Sequence, residues 1–177
     1  MLARIRSGLR VEKIFALINQ MESDGVIGRY AIGGAVGAIF WLEPFTTKDL
    51  DVFVTLPTSV SGTLLTLSPI YNYLLGRGYK PEGQFIVIEN WAVEFTPLVE
   101  EALGTAVVRD VNGVATRVFT AEHLAAISLQ VGRARDHDRV SRFIEQDALD
   151  AGRFDDIIRR HGLLEKWHEF QQRYPQP

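Results

Sequence analysis

Strand-like runs in this 177-residue chain stop near residue 119, and that change narrows the folds open to it. Before it, short β-branched and aromatic runs alternate with turns marked by glycine and proline. Beyond it, apolar residues recur at helical spacing and nothing reads as a strand. A sheet-forming segment over residues 1–119 and a helical segment over 120–177 are therefore expected. No repeat, low-complexity tract or flexible linker divides the chain further, and its length suits one domain with a small appendage.

Individual elements follow from local signals. Val11, Ile14, Phe15, Ile18 and Met21 form a helical stripe that Asp24-Gly25 stops. Tyr30-Ala-Ile reads as a buried strand ending at Gly33-Gly34, and Ala35 to Leu42 as an apolar helix buried on most sides. Leu50 to Leu56 is a strand opened by Lys48-Asp49. Ser68-Pro69 has the form of an N-cap followed by proline at the first helical position, with Gly76 and Gly78 as stops. Two hairpins follow, one turning at Glu89-Asn90 and one at Asn112-Gly113. Thr120 is a plausible N-cap for a helix carrying Leu124, Ile127 and Val131 on one face. Gly132, Gly152 and Gly162 divide what remains into about four short helices.

The absence of cysteine excludes a disulfide framework, a thiolate nucleophile and any Cys-based zinc or iron–sulfur site. His123, His137, His161 and His168 lack ligand spacing, so none is given a catalytic role. A net charge of −3 argues against wholesale capture of nucleic acid, although Arg133, Arg135, Arg139 and Arg142 could supply a local groove. The uncharged run from Tyr30 to Leu42 is too short to span a bilayer, and that from Val52 to Gly76 is broken by Pro57 and Pro69. No apolar segment of the signal-peptide kind follows the first basic residues, so a cytoplasmic protein with no membrane association is expected.

Chemistry concentrates in three places. Asp49 and Asp51 lie two apart on a strand and so share a face, with Leu50 turned away. Glu94 sits in an otherwise apolar strand; if that strand adjoins the first, it brings a third carboxylate to the same point. Such a cluster suits Mg²⁺ or Mn²⁺, which favour hard oxygen ligands. Gly33-Gly34, between a strand and a helix, would let a phosphate approach backbone N–H groups. Two cations about 3.5–4 Å apart can activate an attacking oxygen and neutralise a departing pyrophosphate.

The order strand, Gly33-Gly34, helix, Asp49-Leu-Asp51 on the next strand and Glu94 on a later one resembles the DNA polymerase β-type nucleotidyltransferases. Within that superfamily, Tyr30 to Val54 is similar to the minimal nucleotidyltransferases, including toxins of the abortive-infection type IV class. The resemblance implies an α/β (α+β) fold, in which residues 1–119 form a mixed sheet flanked by helices and 120–177 a small helical cap. It also implies transfer of a nucleoside monophosphate from a nucleoside triphosphate to a hydroxyl on an RNA 3′ end, a protein or a small molecule. A toxin role with an antitoxin-type partner belongs to the same implication.

On this pattern Asp49, Asp51 and Glu94 are the catalytic and metal-binding residues, and the nucleotide-binding set is Gly33, Gly34, Lys48, Arg133 and Arg135. Two departures from the family's pattern are mild, Gly34 where many members have serine and Glu94 where aspartate is commoner, and two matter more. Ser128 stands where a lysine is usual, and Arg139 where an acidic residue is expected, with Asp138 one position earlier. The alternative is a degenerate member that binds a nucleotide, RNA or a protein without chemistry. Arg133 and Arg135 also admit a plainer role, as solvated charges paired with Asp136 and Asp138. Trp41, Trp91 and Phe40 read as core residues. Trp167, Phe170 and Tyr174 form a stripe that docks on the body or on a partner.

Overall fold

In the computed structural model, residues 11–47, 49–57, 66–97 and 100–175 are described. Their chain order is α1 (Val11–Ser23), β1 (Tyr30–Ile32), α2 (Gly34–Ile39), β2 (Asp49–Val54), α3 (Ser68–Leu75), β3 (Lys80–Glu82), β4 (Phe85–Ile88), β5 (Trp91–Pro97), α4 (Glu100–Gly104), β6 (Val107–Val111) and β7 (Val114–Val118). Four helices complete it: α5 (Ala121–Val131), α6 (Ala134–Glu145), α7 (Ala151–Arg160) and α8 (Leu164–Arg173).

The strands form one seven-stranded mixed sheet in the order β3-β4-β5-β2-β1-β7-β6. Strand β2 runs parallel to β5 and antiparallel to β1. Alternation along β2 and β5 assigns the two faces. Leu50, Val52 and Val54 turn to one side with Trp91, Val93 and Phe95, where they pack with Ile14, Phe15, Ile18 and Met21 of α1 and Ile70 and Leu74 of α3. Each such buried side chain contributes about 1.5–3 kcal/mol, so this face anchors the sheet. The opposite face carries Asp49, Asp51, Phe53 and Glu94, and beside them lies a second core built by α5–α8, including Leu124, Val140, Phe143, Phe154 and Phe170. Phe53 joins the two through its ring contact with Phe119, at 5.1 Å between centroids.

Several boundaries differ from those read in the sequence. Helix α2 begins at Gly34 and ends at Ile39, because Phe40 and Trp41 already close a tighter turn back to Gly37 and Ala38. Ser68 is the first residue of α3 and not its cap; the Ser68 N–H is instead taken by the Thr66 hydroxyl at 3.2 Å. Gly152 lies in the first turn of α7, whose cap is the Asp150 side chain, accepting from the Arg153 N–H at 2.9 Å. Two short elements, β3 and α4, carry no sequence signal of their own: β3 is exposed and includes Pro81, and it exists because β4 offers it an edge.

Thr120 caps α5 by accepting from the His123 N–H, and Gly132 ends the helix at φ +72°. The carboxy-terminal stripe docks on the protein's own body. Trp167 stacks on Phe170 at 5.5 Å and meets Phe154 edge-on at 5.1 Å. Among the described residues, no helix is long and apolar enough to cross a membrane.

Candidate active site

The parallel pairing of β2 with β5 sets Asp51 directly opposite Glu94, with Asp49 opposite Ala92. All three carboxylates therefore project from one face of two neighbouring strands, into a cleft of about 720 Å³ between the sheet and the helices α5 and α6. Spacing within β2 places the aspartates side by side, whereas the partnership with Glu94 depends on which strands adjoin.

Gly34 explains how the chain comes so close to this cluster. It opens α2 at φ +53°, and a Cβ there would fall 1.6 Å from Asp51 Oδ2. Only glycine lets the backbone turn in this left-handed conformation and lie against the carboxylate. Gly33 has a different task. A Cβ on it would strike the Phe53 ring at 2.3 Å, and its N–H donates to the Asp51 carbonyl at 2.9 Å. The expectation that both glycine N–H groups face a phosphate is thus corrected for Gly33, whose donor is committed to holding β1 against β2. The Gly34 N–H, at the first position of α2, lies outside the intrahelical ladder.

Burial pushes the Asp51 carboxyl above the ordinary carboxylate range, Glu94 raises it further, and Asp49 adds to this; Arg139 and Arg135 act in the opposite sense. Gln84 donates to Glu94 Oε1 at 3.4 Å. None of the three carboxylates forms an ion pair among the described residues. Nor, among those residues, do any three acidic or imidazole side chains stand close enough together to hold a metal ion between them. The all-oxygen donor set nevertheless suits Mg²⁺ or Mn²⁺. Magnesium takes only one or two carboxylates from a protein and completes its shell with water and substrate phosphates. Asp49, Asp51 and Glu94 are the residues that could hold such an ion.

The facing wall is cationic. Arg133, Arg135, Arg139 and Arg142 all line the cleft. Arg133 is pinned by its Nε to Asp136 Oδ2 at 3.0 Å, with its side chain 60% exposed. Arg142 pairs with Asp138 at 3.0 Å and lies over the Phe45 ring at 5.5 Å. Arg139 is different: only 13% of its side chain is exposed, and Nη1 donates to Asp136 Oδ1 at 3.2 Å and to Ser128 Oγ at 3.3 Å. The two larger departures in the sequence, Ser128 and Arg139, are in contact and form one feature. Sequence reasoning left Arg139 outside the nucleotide-binding set because its partners come from two helices. Lys48 lies outside the described residues.

No protein-family model matches the chain, and no curated protein sequence does. Solved structures do. An antigenic nucleotidyltransferase-like protein from Paracoccidioides brasiliensis aligns with a TM-score of 0.54 at 14% identity, covering 77% of this chain and 74% of that one. The antibiotic-resistance factor ANT(2'')-Ia aligns with a TM-score of 0.55 at 11% identity, covering 92% of this chain and 98% of that one. The chain has a nucleotidyltransferase fold: a mixed α/β sheet flanked by helices, similar to these proteins in architecture.

Proposed function

We propose that the protein is a metal-dependent nucleotidyltransferase, moving a nucleoside monophosphate from a nucleoside triphosphate to an acceptor hydroxyl with release of pyrophosphate. One observation carries this reading. Asp51 and Glu94 stand opposite each other on parallel strands, with Asp49 on the same face, beneath a cleft whose other wall bears guanidinium groups. Like charges gathered without an ion-paired partner cost free energy and call for a cation.

Mg²⁺ or Mn²⁺, when bound, would supply charge neutralisation at the triphosphate and acidification of the acceptor hydroxyl. The residues of the chain do the remainder. Asp49, Asp51 and Glu94 would hold the ions on the cleft-facing side of two interior strands. Gly34 lets the turn into α2 come up against Asp51, bringing one backbone N–H to the same place. Arg135 and Arg133 would grip triphosphate oxygens through charge-assisted hydrogen bonds. Leu124 and Ile127 contribute apolar lining to the cleft and limit water around the reacting groups.

The acceptor is an RNA 3′ end, a protein hydroxyl or a small molecule, and the antibiotic-resistance role of one structural neighbour favours testing small molecules early. Action as a cytoplasmic toxin held by an antitoxin-type protein partner is part of the same proposal. The direct test incubates the protein with each labelled ribonucleoside triphosphate, Mg²⁺ or Mn²⁺ and acceptors of the three classes. Label transfer by wild type and not by Asp51→Asn is expected; transfer retained in the variant refutes the assignment. A second reading, a nucleotide-binding module without catalysis, draws on Arg139, a fixed cation already acting on Asp51. Triphosphate binding independent of metal, without transfer to any acceptor, would favour it.

A further inference from the structure

Asp136 is the only carboxylate that Arg139 touches among the described residues, and Asp136 is shared. Its Oδ1 accepts from Arg139 at 3.2 Å and its Oδ2 from Arg133 at 3.0 Å. One negative charge therefore serves two guanidiniums, and the α6 wall retains positive charge. The Asp136 side chain is only 5% exposed, so it holds Arg139 in a fixed place. Ser128 Oγ, on α5, braces the same nitrogen from the other helix. A guanidinium carries five N–H donors, more than these two partners can occupy.

Across the cleft, Asp49, Asp51 and Glu94 have no ion-paired partner among the described residues. Arg139 nonetheless lines the same cleft as Asp51 and Glu94, facing them without pairing with either. Two opposite charges that attract across a gap leave room for a ligand between them.

From this arrangement we propose that Arg139 gates the carboxylate cluster: its guanidinium opposes a divalent cation at Asp51 and Glu94 until a triphosphate engages it. The inference rests on the nucleotidyltransferase reading for the identity of the anion. Without an anion, a cation at Asp51 is repelled by Arg139, a fixed positive charge on the facing wall of the same cleft. A triphosphate bound to Arg139 reverses the sign of that field, so cation and nucleotide assist each other's binding through Arg139 as well as through direct chelation. The coupling is reciprocal. Asp136 and Ser128 act as positioning residues for the gate.

The test separates the two ligands. Mn²⁺ affinity of the nucleotide-free protein is measured by the electron paramagnetic resonance of free Mn²⁺, and inorganic tripolyphosphate affinity by calorimetry with chelator present. Arg139→Gln is expected to tighten Mn²⁺ binding about fivefold and to weaken tripolyphosphate binding about tenfold. Arg139→Lys, which keeps the charge and loses the fork, should leave Mn²⁺ affinity unchanged while weakening tripolyphosphate. Arg153→Gln, which removes an exposed charge away from the cleft, should change neither.

An unchanged or weaker Mn²⁺ affinity in folded Arg139→Gln overturns the gate. If Arg139→Gln does not fold, tripolyphosphate affinity in Arg139→Lys decides the matter, and an unaltered value overturns the proposal. Both shifts appearing in a protein that transfers no nucleotide would uphold the gate and refute the enzyme reading; wild-type transfer without either shift would do the reverse.

Discussion

The sheet wall of the cleft holds three carboxylates that form no ion pair among the described residues, whereas the helical wall holds arginines tied to carboxylates of their own. Asp49, Asp51 and Glu94 rise from strands whose other face is locked into the core by Leu50, Val52, Val93 and Phe95. Arg133, Arg139 and Arg142 ride on or beside an amphipathic helix and are placed by Asp136 and Asp138. Charge without a partner is costly, so its presence on the rigid wall marks the position where a ligand supplies the missing charge. Paired charge on the helical wall contributes order first and binding second. If that contrast is right, substitutions in the sheet wall strike chemistry and substitutions in the helical wall strike affinity.

The largest effect is expected at Asp51. Asp51→Asn should lower nucleotidyl transfer at least about a thousandfold with the fold intact, because it removes a ligand charge at nearly constant volume. Residual transfer within tenfold of wild type, measured with saturating Mg²⁺ and triphosphate, would break the contrast at its strongest point. Gly34→Ala comes next. Its Cβ would overlap Asp51 Oδ2, and its φ of +53° suits glycine, so the carboxylate or the turn must move. A loss of about 1–2 kcal/mol in denaturant unfolding and about a hundredfold in transfer is expected. Stability lost without activity would show that the turn serves packing only.

On the helical wall, Arg135→Gln should act on affinity. Removing a charge-assisted hydrogen bond to a triphosphate costs about 1.5–3 kcal/mol, which predicts a rise of about tenfold or more in KM with kcat little altered. A fall in kcat at unchanged KM would mean that Arg135 acts at the transition state and that the two walls do not divide the labour as described.

How far the sequence revealed each wall follows from the same physics. Period two within β2 was enough to put Asp49 and Asp51 on one face, and β-branched runs identified the strands themselves. That Glu94 stands opposite Asp51 was legible only as a condition, since it depends on β5 pairing with β2 across about 40 intervening residues. The glycine pair reads as a place for a phosphate to approach, and neither Gly34's close approach to Asp51 nor the diversion of the Gly33 N–H to the Asp51 carbonyl was legible there. Arg139 escaped because its role comes from the packing of α5 on α6: Ser128 and Arg139 are eleven positions apart, and no helical period links them across Gly132. Strand β3 was missed because the edge offered by β4, more than its own propensity, defines it.

The smallest effect, and the one most specific to the sheet wall, is a pH dependence of stability. Burial, then Glu94 and Asp49, raise the Asp51 carboxyl in the folded protein above its unfolded value. Between those two values the folded state binds more protons than the unfolded state. Stability therefore falls as pH rises through the interval and stays lower above it. Asp51→Asn lacks this cost, so in chelator it should melt a few degrees above wild type near neutral pH, about 1 kcal/mol corresponding to 2–4 °C for a chain of this length. The gap should close as pH falls to about 3, below the ordinary aspartate value, where the wild-type carboxyl is protonated in both states. A gap that stays constant across that range would assign the stabilisation to packing around the asparagine. A wild type that is more stable than the variant at neutral pH would mean that Arg139 and Arg135 already neutralise Asp51, removing the electrostatic reason for a cation on the sheet wall.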